Sequence, residues 1–133
     1  MKEGSPSAIQ VVYNYLRRSA AEELFPRALA EGIAIIVREP LANGFLTGKY
    51  TKDSVFPVGD IRHQWPSKYQ AQLVNQVESF KKSLGQTPFT LAQAAIRFVL
   101  AQPAVSVVIP GCKTAEQAET NFKISDLSVP VSI

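Results

Sequence analysis

The sequence predicts an α/β fold with a parallel sheet, built from about three strand–helix units. Three apolar runs have the length of strands, at residues 9–15, 33–37 and 105–109, and helical patterns lie between them. Continuous β-branched runs are typical of parallel strands buried on both faces. Strands that alternate with helices form βαβ units with right-handed crossovers. With 133 residues, 46% of them hydrophobic, the chain has the size of one globular domain, which we predict over residues 1–133.

The first unit consists of the strand at 9–15 and a short helix that ends at Gly32. Ser19 and Glu22 have the spacing of a capping box, which predicts a first helical turn. Pro26 removes a backbone donor, so we expect the main helix to restart there. Gly32 is expected to end the helix, immediately before the second strand, IAIIV.

Residues 38–66 form a long loop within the predicted domain. Glycine and proline recur through this stretch, and no apolar periodicity is sustained. Loops of such length are usually functional lids or disordered segments.

The remaining elements follow from apolar spacing and from capping residues. Residues 67–84 have one apolar face and end before Gly85, which predicts a helix. Thr90 is expected to cap the next helix, and the third strand, at 105–109, follows it. Thr114 and Gln117 form a second capping box, at the start of the last helix.

Three strands do not make a complete sheet. Both edges would stay open, whereas a closed (βα) barrel requires about 250 residues. We therefore expect a missing half or another copy of the chain to complete the sheet.

Composition and charge exclude several classes of function. The net charge is +3, and the Lys and Arg residues are scattered, whereas a nucleic-acid surface requires them clustered on one face. No apolar run approaches the roughly 20 residues of a membrane span. The single cysteine, Cys112, excludes an internal disulfide and a cysteine-based zinc site, and favours a reducing environment. The sequence therefore predicts a soluble cytoplasmic protein without nucleic-acid, membrane or metal partners.

The stretch VVIPGCKTAEQAETN, at residues 107–121, is the first candidate site. A helix that begins at Thr114 presents free N–H groups and the positive end of its dipole to an anion. Gly111 allows close approach of a ligand, and Lys113 adds a point charge. The alternative is a turn glycine beside a solvated lysine, and the residues alone favour neither interpretation.

The segment REPLANGFLTGK, at residues 38–49, is the second candidate, directly after the second strand. Its backbone N–H groups suit a pyrophosphate or a ribose, and the planar guanidinium of Arg38 could lie against a ligand ring. Gln10, with Tyr13, is the third candidate, because an amide in an apolar strand needs a hydrogen-bond partner. A structured loop with a surface arginine, and a solvent-facing glutamine on an edge strand, are the alternatives.

Taken together, these segments resemble the C-terminal half of the aldo-keto reductases. The resemblance rests on IQVVYN at 9–14, PLANGFLTGKY at 40–50, TLAQAAIRFVLAQPAVSVVIPG at 90–111 and KTAEQAETN at 113–121. It implies part of a (βα)8 TIM barrel that binds NADP(H) and reduces aldehydes and ketones.

The resemblance also implies roles for individual residues. Gln10 would hold the nicotinamide carboxamide, with Arg38 stacked on the ring. The pyrophosphate and its ribose would lie against Pro40, Leu41, Asn43 and Gly44. The adenosine 2′-phosphate would bind at Gly111, Lys113 and Thr114, with Gln117 and Asn121 near the adenine.

The catalytic Asp, Tyr, Lys and His of the resembled family lie on early strands that this sequence does not match. The only histidine, His63, and the nearby Asp60 fall in the long loop, where we interpret them as lid residues. We therefore expect a cofactor-binding portion that is not catalytic alone. The alternatives are a non-catalytic half-barrel that associates through its open sheet edges, and a sugar-phosphate-binding barrel.

Overall fold

The three predicted strands form one parallel sheet, with helices packed on one of its faces. The computed structural model describes Gly4 and residues 6–126. The strands are β1 (Ala8–Val12), β2 (Ala34–Arg38) and β3 (Val105–Ile109), in the order β1-β2-β3. The helices are α1 (Leu24–Glu31), α2 (Ser67–Leu84), α3 (Leu91–Leu100) and α4 (Ala115–Phe122). Short 3-10 turns cover Ser19–Ala21, Ala42–Thr47 and Lys123–Asp126.

The helix with the most regular apolar spacing has the predicted bounds. α2 runs from residue 67 to residue 84 and buries Leu73, Val77 and Phe80 against the chain's core, as its periodicity predicts. The start of α3 is also confirmed. The Thr90 side chain accepts a hydrogen bond from the Gln93 backbone, and the Gln93 side chain accepts one from Thr90. A complete capping box therefore fixes this helix start.

The predicted first turn is present, but the predicted capping box is not. Ser19–Ala21 form a separate 3-10 turn without a side-chain cap, and α1 begins at Leu24, two residues before the predicted restart at Pro26. Pro26 lies in the first turn of α1, where backbone N–H groups have no partner within the helix, so proline is tolerated there. Gly32 does end the helix, with φ of 66°.

The first strand is shorter than predicted. β1 ends at Val12, and Tyr13 is 4% exposed, with its ring against Phe25 and Phe98. Tyr13 is therefore a core residue, which the pairing of Gln10 with Tyr13 as a candidate site did not anticipate.

The long loop is packed rather than loose. Its 3-10 turn buries Phe45 and Leu46, and Phe56 joins them in a cluster with α2 and α3. A loop that supplies core residues has a fixed path, so its polar residues are held in place as well.

The two faces of the sheet have different environments. Ile35 and Val37 are fully buried under α1 and α3, and Val105 and Val108, which are partly buried, pack against them. A register shift between Ile35 and Ile36 sets the side chains of β3 on their faces. We call the opposite face the bare face. It carries Gln10, Val12, Ile36, Arg38, Val107 and Ile109.

The strand edges are open, as expected. In the described part of the chain, β1 and β3 each pair only with β2. Over the same residues, none of the helices combines the length and the apolar character that crossing a bilayer requires.

Candidate functional site

A large cleft lies where β2 and β3 end. It has a volume of about 1020 Å³, which is the scale of a small-molecule or cofactor site. The carboxyl ends of parallel strands are the edge at which α/β proteins bind ligands. Three segments form its walls: the turn after β2, the turn from β3 into α4, and the loop around residue 60.

The turn after β2 forms a strained wall. Three residues other than glycine have positive φ there: Glu39 at 56°, Ala42 at 47° and Asn43 at 55°. Each such conformation costs about 1–3 kcal/mol and persists only where neighbouring groups enforce it. The Asn14 side chain donates to the Glu39 carbonyl at 2.9 Å, which ties the turn to the end of β1. Strain of this kind is common in ligand clamps.

The turn into α4 forms the opposite wall. Gly111 has no positive φ, and a Cβ added there would meet no atom within 4 Å. The backbone of residue 111 therefore faces open space in the cleft. Lys113 also lines the cleft, and it makes no ion pair within the described residues.

The expectation of free N–H groups at this turn is corrected in part. The Thr114 hydroxyl accepts from the Gln117 N–H at 3.2 Å, and the Gln117 side chain accepts from the Lys113 N–H at 2.8 Å. The capping pattern is thus shifted by one residue from the reciprocal box that the sequence predicts. The first helical N–H groups, of Ala115 and Glu116, have no acceptor within the helix. Three acidic residues, Glu39, Asp60 and Glu116, also line the cleft.

Arg62 is the centre of the third wall. Its guanidinium binds both carboxylate oxygens of Asp60, at 2.8 and 2.6 Å, and also donates to the Asn43 carbonyl at 2.8 Å and to the Tyr50 hydroxyl at 2.7 Å. The part of the long loop around residue 60 is therefore joined to the strained turn after β2 by one buried cation, Arg62.

The charges of this wall change the acidity of two groups. Side-chain and backbone hydrogen bonds from Arg62 hold the pKa of the Asp60 carboxyl well below its usual range. Burial raises the pKa of the Tyr50 phenol. Hydrogen bonds and charge from Arg62 and Lys49 outweigh burial, so the pKa of Tyr50 is lower than usual. Asp60 is thus an ionised partner of Arg62 and is not a proton donor near neutral pH.

Comparison with known proteins decides the family. A sequence model of the Aldo/keto reductase family matches residues 1–131. The chain belongs to this family. It is 34% identical over 138 residues to Aldo-keto reductase yakc (NADP+) of Schizosaccharomyces pombe, covering 92% of this chain and 39% of that protein. It is 32% identical over 128 residues to a probable voltage-gated potassium channel subunit beta of Arabidopsis thaliana, again covering 92% of this chain and 39% of that protein.

Solved structures agree on the fold. The chain superposes on a glycerol dehydrogenase from Gluconobacter oxydans with a TM-score of 0.70 and 21% identity, covering 98% of this chain and 46% of the other. The three-stranded sheet is therefore part of an aldo-keto reductase TIM barrel. The chain spans about two fifths of the length of the curated relatives named above.

The cleft of this aldo-keto reductase chain brings together most of the residues that the sequence singled out. They are Pro40, Leu41, Asn43, Gly44, Gly111, Lys113, Thr114, Gln117 and Asn121. The Asn121 amide is held by Cys112, to whose sulfur it donates at 3.3 Å.

Two of the predicted residues lie outside the lining of the cleft. Gln10 is exposed on the bare face of β1. Arg38 ends β2, and its guanidinium is ion-paired with Glu39. Both lie on the bare face, on neighbouring strands. Arg38 directly precedes Glu39, which lines the cleft.

His63 has a structural position. Its Nδ1 lies 2.7 Å from the Phe56 carbonyl, and the residue does not line the cleft. Asp60, which was grouped with His63 as a lid residue, does line it. Within the described chain, no group of three or more potential metal ligands is found.

The sequence assigns no individual role to Lys49, Tyr50 or Arg62, which also line the cleft. Lys49 and Tyr50 are the last two residues of the matched segment PLANGFLTGKY, and that match was the available signal. Arg62 lies in a loop without apolar periodicity, so residue spacing does not predict where its side chain points.

Proposed function

We propose that this chain is the cofactor-binding portion of an NADP-dependent aldo-keto reductase, which transfers hydride between NADPH and an aldehyde or ketone. Membership of the family and the cleft at the ends of β2 and β3 support the proposal. The single observation that carries it is the position of Lys113, a cation without an ion pair in the described chain, beside the open backbone of Gly111.

The cleft fits an extended dinucleotide in size and in chemistry. The strained turn at Pro40, Leu41, Asn43 and Gly44 is assigned to the pyrophosphate and its ribose, because hydrogen bonds to the Glu39 and Asn43 carbonyls hold its backbone in place. The nicotinamide is assigned to the side of Gln10 and Arg38, beyond the cleft's edge.

The adenosine end is assigned to the opposite wall. Gly111, Lys113 and Thr114 are proposed to take the 2′-phosphate, with Gln117 and Asn121 near the adenine. Because the Gln117 side chain accepts from the Lys113 N–H, its role here is to hold that turn in place.

The bound nicotinamide supplies the hydride chemistry, and this chain's residues bind and orient the cofactor. A carbonyl reductase must also deliver a proton through a positioned acid. His63 is bonded to the Phe56 carbonyl, and Asp60 is paired with Arg62, so neither serves as that acid. We propose that the chain is not catalytic alone, and that the carbonyl substrate binds with groups outside it. The single cysteine supports a reducing, cytoplasmic location.

A titration with NADPH and NADH, followed by cofactor fluorescence, tests the 2′-phosphate assignment. We expect tighter binding of NADPH, because Lys113 adds a charge-assisted hydrogen bond to the extra phosphate. Lys113→Ala should weaken NADPH binding by about 1–3 kcal/mol and leave NADH binding unchanged. Lys81→Ala, which removes an exposed lysine of α2 outside the cleft, is the matched control. Equal binding of both cofactors, or an unaffected Lys113→Ala variant, would remove the assignment.

A second function, association without catalysis, is supported by the bare face. Val107 is 47% exposed there, and among the described residues no further strand pairs with either edge of the sheet. An uncovered apolar sheet face with free edges favours pairing with another sheet.

A further inference from the structure

Tyr50 occupies a position in the cleft that its packing alone does not explain. Its ring lies between Phe45 and Phe56, with both ring centroids 5.1 Å away. Tyr50 lines the cleft, and its hydroxyl lies 3.7 Å from the position that a Cβ at Gly44 would take. Phenylalanine would satisfy the stacking, so the hydroxyl requires a separate explanation.

The partners of the hydroxyl determine where its proton can point. Arg62 donates to the phenol oxygen at 2.7 Å, and a guanidinium has no acceptor. Lys49, whose ammonium lies 4.9 Å from the Tyr50 ring centroid, is also only a donor. Neither neighbour can receive the phenol proton, and in the described part of the chain no other group accepts it.

A hydroxyl whose neighbours are all hydrogen-bond donors is suited to donate its proton to an anionic oxygen. The phenol O–H, the Lys49 ammonium and the Arg62 guanidinium converge on one side of the cleft, next to the turn at Asn43 and Gly44. The Asp60 carboxylate does not compete for the proton, because both of its oxygens are bound by Arg62. An oxygen that carries negative charge and lacks a proton is the complementary acceptor.

We propose that the Tyr50 hydroxyl donates a hydrogen bond to a diphosphate oxygen of the bound dinucleotide, and that Arg62 fixes the hydroxyl in this orientation. The inference rests on the proposed function, since it assigns a binding residue to the same cleft. The lowered pKa of the phenol agrees with this role, because a more acidic hydroxyl is a stronger donor.

The diphosphate is common to NADPH and NADH, and this separates the inference from the 2′-phosphate assignment. Tyr50→Phe should weaken the binding of both cofactors by the same factor, about 10- to 100-fold, the scale of a hydrogen bond to a charged group. Lys113→Ala, in contrast, should affect NADPH alone. Tyr69→Phe is the matched control, because Tyr69 is exposed and does not line the cleft.

Inorganic pyrophosphate distinguishes a dinucleotide site from a site for free diphosphate. We expect pyrophosphate to displace NADH from the wild type and to be a weaker competitor with Tyr50→Phe. The wild type could bind pyrophosphate through Tyr50 and yet bind neither NADPH nor NADH. In that case the Tyr50 hydroxyl does bind a diphosphate, and the proposed function fails. Unchanged cofactor affinity in Tyr50→Phe, or a loss confined to NADPH, would overturn the inference.

A measurement on the wild type covers the case in which Tyr50→Phe does not fold. NMR of the tyrosine ring carbons follows each phenol separately through its titration. A ligand that accepts the phenol proton binds the protonated form more tightly, so NADPH should raise the pKa of Tyr50. An unchanged or lowered pKa on NADPH binding contradicts the hydrogen bond.

Discussion

Some residues of the cleft are required by the fold, and others matter only for binding a ligand. Gly44 has φ of 88°, and a Cβ there would lie 3.2 Å from the Tyr50 ring, so the fold itself needs glycine at that position. Gly111 has neither constraint, so its lack of a side chain matters only to a molecule that enters the cleft. The sequence singles out both glycines as site residues. Why glycine is needed at each position depends on neighbouring atoms that only the structure identifies.

The contrast between the two glycines gives a prediction. Gly111→Ala should leave the free energy of unfolding unchanged or raise it by about 0.4–1 kcal/mol, because alanine restricts the unfolded chain at a position without native strain. The same substitution should weaken NADPH binding, since the added methyl occupies space in the cleft. Urea unfolding and a fluorescence titration measure the two effects. Gly44→Ala is the comparison and should lower stability; destabilisation by Gly111→Ala at unchanged affinity would contradict the argument.

At the scale of elements, apolar spacing predicts where helices and strands begin and end better than it predicts the pairing register of the strands. The apolar face of α2 and the capping box of α3 are local signals, and both elements begin where predicted. Ser19 and Glu22 match a capping pattern equally well but form only a 3-10 turn, because no continuous helix follows them. The bounds of β3 are also as predicted, whereas its register shift is not visible in the run VSVVI.

Ser106 stabilises the irregular pairing of β3 with β2. It lies between Val105 and Val107, which pair with consecutive residues of β2, and its hydroxyl accepts from the Ile35 N–H at 3.2 Å. The extra residue turns Val108 toward the helices and Ile109 toward the cleft. The extra residue at position 106 therefore decides which apolar side chain borders the site, and the Ser106 hydroxyl bonds to the backbone there.

Ser106→Ala tests this account of the register. The substitution removes the acceptor of the Ile35 N–H, and Ile35 is fully buried, so we expect a loss of about 1–3 kcal/mol of unfolding free energy. Chemical denaturation measures it. Ser79→Ala, on an exposed part of α2, is the matched control and should change stability much less. Equal effects of the two substitutions would show that the Ser106 hydroxyl has no special role.

At the scale of the whole molecule, the candidate site is more predictable than the way the sheet is completed. The turns after β2 and β3 lie together because parallel strands end at the same edge, so their residues could be grouped from sequence. Tyr50 ends the matched segment PLANGFLTGKY without a predicted role, and Arg62 reaches the same cleft from an aperiodic loop, so neither is assigned to the site from the sequence. The open strand edges are predicted by the three-strand count, whereas the bare face is identified only by the structure.

The bare face leads to a prediction about self-association. If it pairs with a second copy, the mass in solution should rise with protein concentration, because apolar area is buried in the dimer. Val107→Lys should shift this equilibrium toward the monomer, since pairing would bury an uncompensated charge. Val58→Lys, at a loop position that is 86% exposed, is the matched control and should have little effect. Sedimentation equilibrium measures all three proteins. A wild type that stays monomeric at every concentration would remove the second copy as the occupant of this face.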